Sequence, residues 1–232
     1  MGSIEALINK QLRRWELEQK KRTEDINAGL VPAVRPIITI SRQKGSGGAY
    51  FAEQLAERLK YQLLYREVID EICNSSGYRR QIIESIDDKV RSRIELWMAG
   101  LFSGAMIDSS DYFKQLFKVI STIAEHGGVI VVGRGANFII PAGRGFSIRV
   151  VASLSRRIEN LMRVQNLTHE QAEKEIKRVD RERSDFIKSN FKRDIDEPGV
   201  YDLVINTTNI SIETAIKIAE EGIRARWDIS GN

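Results

Sequence analysis

The densest chemical signal in this 232-residue chain is Ile37-Ile38-Thr39-Ile40-Ser41-Arg42-Gln43-Lys44-Gly45-Ser46-Gly47-Gly48-Ala49-Tyr50-Phe51-Ala52. A β-branched run leads into three glycines within four positions, and an amphipathic helical pattern follows. Strand, glycine turn and helix in that order aim backbone N–H groups and a helix N-terminus at one point, which is a cradle for phosphate. A side chain there would clash with the anion or forbid the turn. An ordinary tight turn between strand and helix is the competing explanation. Two loop chemistries can be set against the spacing. A dinucleotide loop GxGxxG starts well at Gly45 and Gly47 but finds Tyr50 at its last glycine, and the next strand ends Leu64-Tyr65-Arg66 with no acid for a ribose. A triphosphate loop GxxxxGK[ST] with Gly47 as its second glycine places Arg42 at the first glycine, Gly48 at the lysine and Ala49 at the hydroxyl. The backbone cradle survives, whereas the usual lysine charge and magnesium-binding hydroxyl do not. Arg42 and Lys44 are the nearest replacement cations, and Ser46 and Ser41 the nearest hydroxyls.

A second cationic group lies in Arg178-Val179-Asp180-Arg181-Glu182-Arg183. Arg178, Arg181, Asp185 and Lys188 follow helical offsets and share one stripe. Phosphoryl transfer spreads charge over equatorial oxygens, and a guanidinium fork can hold two of them while keeping its charge. A solvated helix laced with Glu–Arg pairs explains the same pattern. Other chemistries find less support. His126 and His169 stand alone without partners at metal-ligand spacing. Cys73, the one cysteine, can make no internal disulfide or cysteine metal site and reads as a small buried residue. Trp97, Met98, Leu101 and Phe102 read as core or interface rather than a platform for bases. Asp87-Asp88, Asp108 and Asp111 could face a magnesium-bound phosphate, but helix capping is their default role. No aspartate follows Val129–Val132 directly, so no protein metal site is expected. Magnesium would ride on nucleotide phosphates and water.

These residues need a scaffold to hold them. The chain is long enough for one domain with a real core, and 42% hydrophobic and 29% charged residues exclude wholesale disorder. The longest apolar runs are far too short to span a bilayer, and the N-terminus lacks a signal pattern. A cytoplasmic protein without a membrane partner is expected. The net charge of +4 is a slight hint of an anionic partner. Residues 3–27 read as a helix with a narrow stripe of Ile4, Leu7, Ile8, Leu12 and Trp15, followed by a Gly- and Pro-bearing linker over 28–36. That arm packs on its own domain or on a second copy, so a homodimer through it is a candidate assembly. Nucleic acid is not the expected partner, because acids interleave with the bases.

Beyond the arm, strands are expected at 37–40, 61–65, 128–132, 146–151 and 201–206. Helices are expected over 48–59, over 66–126 with loops near 74–77 and 104–110, and over 153–164. A capping box at Thr168-His169-Glu170-Gln171 opens a charged helix to about 186, and Ser211 caps the last one. Alternating strands and helices predict an α/β fold with a mostly parallel sheet.

From about Ile37 to Ala219 the sequence resembles the cytidylate kinase-like proteins, relatives of bacterial cytidylate kinase among the phosphate-loop (P-loop) nucleoside monophosphate kinases. Its landmarks are the glycine loop already described, Asp87-Asp88-Lys89-Val90-Arg91-Ser92, Val131-Val132-Gly133-Arg134-Gly135-Ala136-Asn137, Arg178 to Arg183, and Tyr201-Asp202-Leu203-Val204-Ile205-Asn206-Thr207-Thr208. The resemblance implies a P-loop kinase fold with three parts. A core sheet binds the triphosphate, a helical insertion over 66–126 binds the monophosphate, and a lid over 168–198 brings arginines. The domain is then 36–232 behind an arm and linker of 1–35. Gly133-Arg134 matches the first two residues of a Gly-Arg-Asp motif whose arginine and aspartate face the monophosphate, and Gly135 stands where the aspartate would be.

The expected activity is ATP-dependent phosphorylation of a nucleoside monophosphate, with CMP as first choice. Gly45, Ser46, Gly47 and Gly48 would cradle the donor phosphates. Arg42 or Lys44 would supply the missing charge, and Arg181 would close from the lid. Arg134, with Arg178 and Arg183, would hold the acceptor. Two alternatives stay open: a nucleotide-binding regulatory module that kept the fold without fast chemistry, and a kinase of another small acceptor.

Overall fold

The computed structural model describes residues 4–28, 35–103, 110–141 and 143–227. Five short aliphatic runs form one parallel sheet: β1 (Ile37–Arg42), β2 (Gln62–Tyr65), β3 (Val129–Val132), β4 (Gly145–Val151) and β5 (Leu203–Asn206). Their order is β2-β3-β1-β4-β5. The register sets Ile38 beside Ile130 and Phe146, and Val150 beside Ile205. β1 and β3 are buried on both faces, so they read as unbroken apolar runs rather than alternating ones.

Parallel strands need long crossovers, and helices supply them. They are α1 (Ile4–Asn27), α2 (Gly48–Leu59), α3 (Arg66–Asn74), α4 (Ser76–Glu84), α5 (Asp88–Ser103), α6 (Asp111–His126), α7 (Ala136–Ile139), α8 (Leu154–Gln165), α9 (His169–Phe191) and α10 (Ile212–Trp227). Strand period divides β1 between two cores. Ile38 and Ile40 pack with Phe51, Leu55, Ile216 and Ile223 of α2 and α10. Ile37 packs with the helices of the 66–126 segment. The chain leaves β1 for β2, returns through β3 on one side, and reaches β4 on the other. The carboxyl end of β1 is therefore the switch point where ligands of open α/β sheets gather.

The expected helix at 48–59 and the Thr168 capping box are present as read. The charged helix runs further than expected, to Phe191, because Ile187 and Phe191 carry its buried face onward. The break near 74–77 shrinks to Ser75, which caps α4 by accepting from the Tyr78 N–H. Asp87 caps α5 through the Val90 N–H at 2.9 Å. The short α7 was not expected from sequence. The loop at 104–109 with Asp108, the side chains of Leu101 and Phe102, and the linker over 29–34 lie outside the described residues. Cys73 is buried in the 66–126 helices, and burial pushes its thiol up to about 12.

Part of the α1 stripe, Ile8, Leu12 and Trp15, packs on this chain's own helices, whereas Ile4 and Leu7 stay exposed. Ile8 and Trp15 are each 1% exposed, and Trp15 stacks on His126 with ring centroids 4.4 Å apart. Gln62 Nε2 donates to the Leu7 carbonyl, and an Arg14 nitrogen donates to the Lys60 carbonyl.

Candidate active site

Two cavities meet at the carboxyl end of β1. The larger, about 940 Å³, lies over the glycine loop between α8 and the segment after β5. Gly47 takes φ 78° and opens α2, whose first bond runs from the Phe51 N–H to the Gly47 carbonyl at 2.9 Å. The N–H groups of Gly48, Ala49 and Tyr50 therefore have no acceptor inside the helix. Packing demands glycine here as well. A Cβ on Gly45 would lie 2.6 Å from the Arg157 carbonyl oxygen, and one on Gly48 the same distance from Arg42 Cβ. The loop is fastened from three sides. Asn160 Nδ2 donates to the Gly45 carbonyl at 2.9 Å, Thr207 Oγ1 to the Ser46 carbonyl at 2.8 Å, and the Lys44 N–H to Asp180 Oδ1 at 2.8 Å.

Neither candidate hydroxyl is available to a metal. Ser46 Oγ, 1% exposed, donates to the Gln43 carbonyl at 2.9 Å, and Ser41 Oγ accepts from buried Arg149 at 2.7 Å. The described residues hold no cluster of three or more His, Cys, Asp or Glu arranged for a metal ion. A triphosphate fits the loop, whereas a protein-held magnesium does not fit the hydroxyls.

The smaller cavity, about 80 Å³, is walled by Arg42, Arg66, Arg134 and Arg183, with Thr39 and Asn137 behind them and Phe186 on the apolar side. Arg42 and Arg183 line both cavities. Arg183 donates to the Arg42 carbonyl at 2.7 Å. Among the described residues the Arg42 side chain has no hydrogen bond or ion pair within reach. Burial first, and the Arg183 charge second, push its pKa down to about 9. Burial likewise lowers Arg183. Two guanidiniums held this way favour an arriving anion.

The other predicted residues fall in different places. Arg134, at φ 54°, is held by Asp70: its Nε donates to Oδ1 at 2.7 Å and a second nitrogen donates to Oδ2. Tyr112 donates to the same Oδ1 at 2.6 Å, and the guanidinium lies 4.9 Å over the Phe186 ring. Gly135, at φ 64°, packs under Phe191, whose ring Cζ would lie 2.6 Å from any Cβ there. An aspartate at that position would force the Phe191 and Ile187 side chains of α9 to give way and would hold a left-handed φ. The Lys44 ammonium pairs with Glu175 at 3.8 Å. Arg178 and Arg181 lie on the exposed face of α9 and line neither cavity, and Arg178 is paired with Glu175 and Glu182. The reason is rotational: Ile176, Ile187 and Phe191 bury the opposite face, which also carries Arg183 inward. Of the three arginines, the structure brings Arg183 to Arg42 and leaves the other two in solvent. Sequence reasoning passed over Arg66, Asp70, Arg157 and Asp180. Arg66 carried a usable signal, since it directly follows a strand at the ligand-binding edge. Asp180 sat unremarked inside the arginine motif, although it ties α9 to the loop amide and to Arg157.

A parallel sheet of this order, with a glycine loop after its central strand and a helical insertion before the third, defines a P-loop kinase fold. The chain belongs to the cytidylate kinase-like family, whose model matches residues 37–209. A crystal structure of an uncharacterized protein from Eubacterium ventriosum is similar at 20% identity and TM-score 0.62, over 82% of this chain and 99% of that one. Shikimate kinase from Acinetobacter baumannii in complex with shikimate shows 13% identity and TM-score 0.45, over 83% of this chain and 94% of its own. A gluconokinase from Sinorhizobium meliloti shows 11% identity and TM-score 0.46, over 85% and 96%. No curated protein sequence matches the chain.

Proposed function

We propose that this protein transfers the γ-phosphoryl group of ATP to a small anionic acceptor. The observation that carries the reading is that Arg42 and Arg183 line both cavities at once. The larger cavity has the size of a nucleotide site and a ready anion cradle at the start of α2. Gly45, Ser46, Gly47 and Gly48 hold the donor phosphates through their backbone, and magnesium arrives on those phosphates with its water. The acceptor oxygen forms a bond to the γ-phosphorus as the bond to the bridging oxygen breaks. ADP leaves with that electron pair. Arg42 and Arg183 meet the charge that develops between the cavities, in place of the absent loop lysine.

Family membership suggests a nucleoside monophosphate, CMP first, as the acceptor. Gly135 and the engagement of Arg134 by Asp70 weigh against the contacts that a Gly-Arg-Asp motif would give it. A second reading, a nucleotide-binding module without transfer, is favoured by the engaged Ser41 and Ser46 hydroxyls and the loop's missing lysine. Incubation of γ-labelled ATP and magnesium with a panel of monophosphates and small anions tests both. Label should move to one acceptor. ATP bound in calorimetry with no label moved to any acceptor would select the second reading.

A further inference from the structure

We propose that the acceptor is a small hydroxylated anion, bearing a carboxylate or a phosphate, and that Thr39 and Asn137 select it in the smaller cavity. The proposal rests on the phosphoryl-transfer reading above and names its acceptor class. Thr39 lies in the middle of β1, between Ile38 and Ile40, and is 4% exposed. Its Oγ1 has no hydrogen-bond partner, and neither has the buried Nδ2 of Asn137. Both residues line the smaller cavity and the cavity that adjoins it. A buried polar atom left unpaired is costly, and valine at position 39 would fill the same shape without that cost. Two such atoms belong to residues of one wall, and a polar ligand seated against that wall with a small side-chain adjustment would satisfy them.

The opposite wall is cationic. Arg42, Arg66 and Arg183 line it, and the Arg42 guanidinium faces no paired acid among the described residues. An oxyanion belongs beside Arg66, with one hydroxyl reaching toward Thr39 and Asn137 and the reacting hydroxyl toward Arg42 and Arg183, where the donor cavity joins. Size limits the rest of the molecule. About 80 Å³ holds several water-sized groups, well below the roughly 300 Å³ at which ordinary ligand pockets begin. A base, a ribose and a phosphate together exceed it and would have to extend into the adjoining cavity of about 230 Å³, whereas a small hydroxylated acid would not. Phe191 under Gly135 closes the direction from which an acid could read a base. In the transfer, the acceptor hydroxyl oxygen bonds to the γ-phosphorus and ADP departs with the electrons of the broken bond. The hydroxyl proton passes to solvent, because Glu182, the one carboxylate lining this cavity among the described residues, is held by Arg178.

The test is calorimetric titration of D-glycerate, glycerol 3-phosphate and CMP into protein saturated with a non-hydrolysable ATP analogue. Wild type, Thr39→Val, Thr39→Ser and Asn137→Ala are compared. At least one small anion should bind wild type more tightly than CMP does, and the better of the two identifies carboxylate or phosphate. Thr39→Val and Asn137→Ala should each weaken it about tenfold, and Thr39→Ser should restore it, separating a lost hydroxyl from a lost fold. The proposal is overturned if CMP binds as tightly as the small anions, if neither small anion binds, or if Thr39→Val and Asn137→Ala bind them like wild type. A small anion that binds with the Thr39 dependence yet never takes label from ATP would uphold this site and refute the kinase reading.

Discussion

Arg42 and Arg183 are both desolvated, and the Arg183 charge makes that of Arg42 harder to hold. Such a pair is stable only where backbone and neighbouring elements pin it, and it gains most when an anion arrives between the two. Arg183 should therefore matter to transfer, and Arg181, two residues earlier on the exposed face, should not. In single-turnover transfer from labelled ATP, Arg183→Ala should lower the rate by about 10²–10³, and Arg181→Ala should stay within about twofold of wild type. Equal losses would mean that α9 turns its other face inward during the reaction. Gly135 supports a stability prediction. Gly135→Asp puts a branched side chain at φ 64° against the Phe191 ring. Strain and overpacking together should cost about 2–4 kcal/mol, read as a lower urea midpoint with the same slope. A variant as stable as wild type would show that α9 can shift freely away from Gly135.

The helices act as rigid carriers of these residues, and their placement was legible to different degrees. Thr168 with Gln171 and the 48–59 pattern announce their helices, because capping and apolar periodicity are local in sequence. The rotation of α9 was not legible from the spacing of its cations, because buried Ile187 and Phe191 set it through contacts far along the chain. For α1, the stripe was evident and its docking surface was not. That surface is built on Trp15 and His126. Burial pushes the His126 imidazole down to about 4 from 6.5, and its Nε2 lies 2.7 Å from Ser85 Oγ. The unfolded chain takes up this proton near 6.5 while the folded protein refuses it until about 4. Stability from this group is thus fully present above pH 6.5 and is lost as pH falls to about 4, at most roughly 3 kcal/mol. Urea unfolding at pH 7 and pH 4 should show that loss in wild type, and a smaller loss by about that amount in His126→Phe. Identical losses would mean that His126 titrates normally. Trp15→Ala, in turn, should cost about 3–5 kcal/mol in stability. It should leave ATP affinity of the folded protein unchanged, because no α1 residue lines the larger cavity.

Across the whole molecule, α9 is the element that touches both halves of the site. Asp180 accepts the Lys44 N–H and pairs with Arg157, so it fastens α9 to the glycine loop. One turn further, Arg183 reaches the Arg42 carbonyl, and beyond it Phe186 and Phe191 pack against Arg134 and Gly135. The donor half was readable in the sequence because Ile37 to Ala52 is one continuous stretch. Of the acceptor half, Arg134 and Arg183 were read from their motifs but Arg66 and Thr39 were not, because β1, the ends of β2 and β3, and α9 assemble it from positions more than 140 residues apart. A single helix bound to both halves makes their occupancies interdependent, and that interdependence is a free energy that must be the same from either side. A non-hydrolysable ATP analogue should tighten binding of glycerol 3-phosphate severalfold in wild type, and glycerol 3-phosphate should tighten the analogue by the same factor. Asp180→Ala removes the acceptor of the Lys44 N–H and a partner of Arg157 and Arg183, leaving Lys44–Glu175 and the Arg183 bond to the Arg42 carbonyl as the remaining ties between α9 and the loop. Calorimetry of each ligand with and without the other should then give a ratio closer to one in Asp180→Ala than in wild type, with each ligand still binding alone. A wild-type ratio retained in the variant would show that the halves communicate by another route, through the sheet rather than through α9.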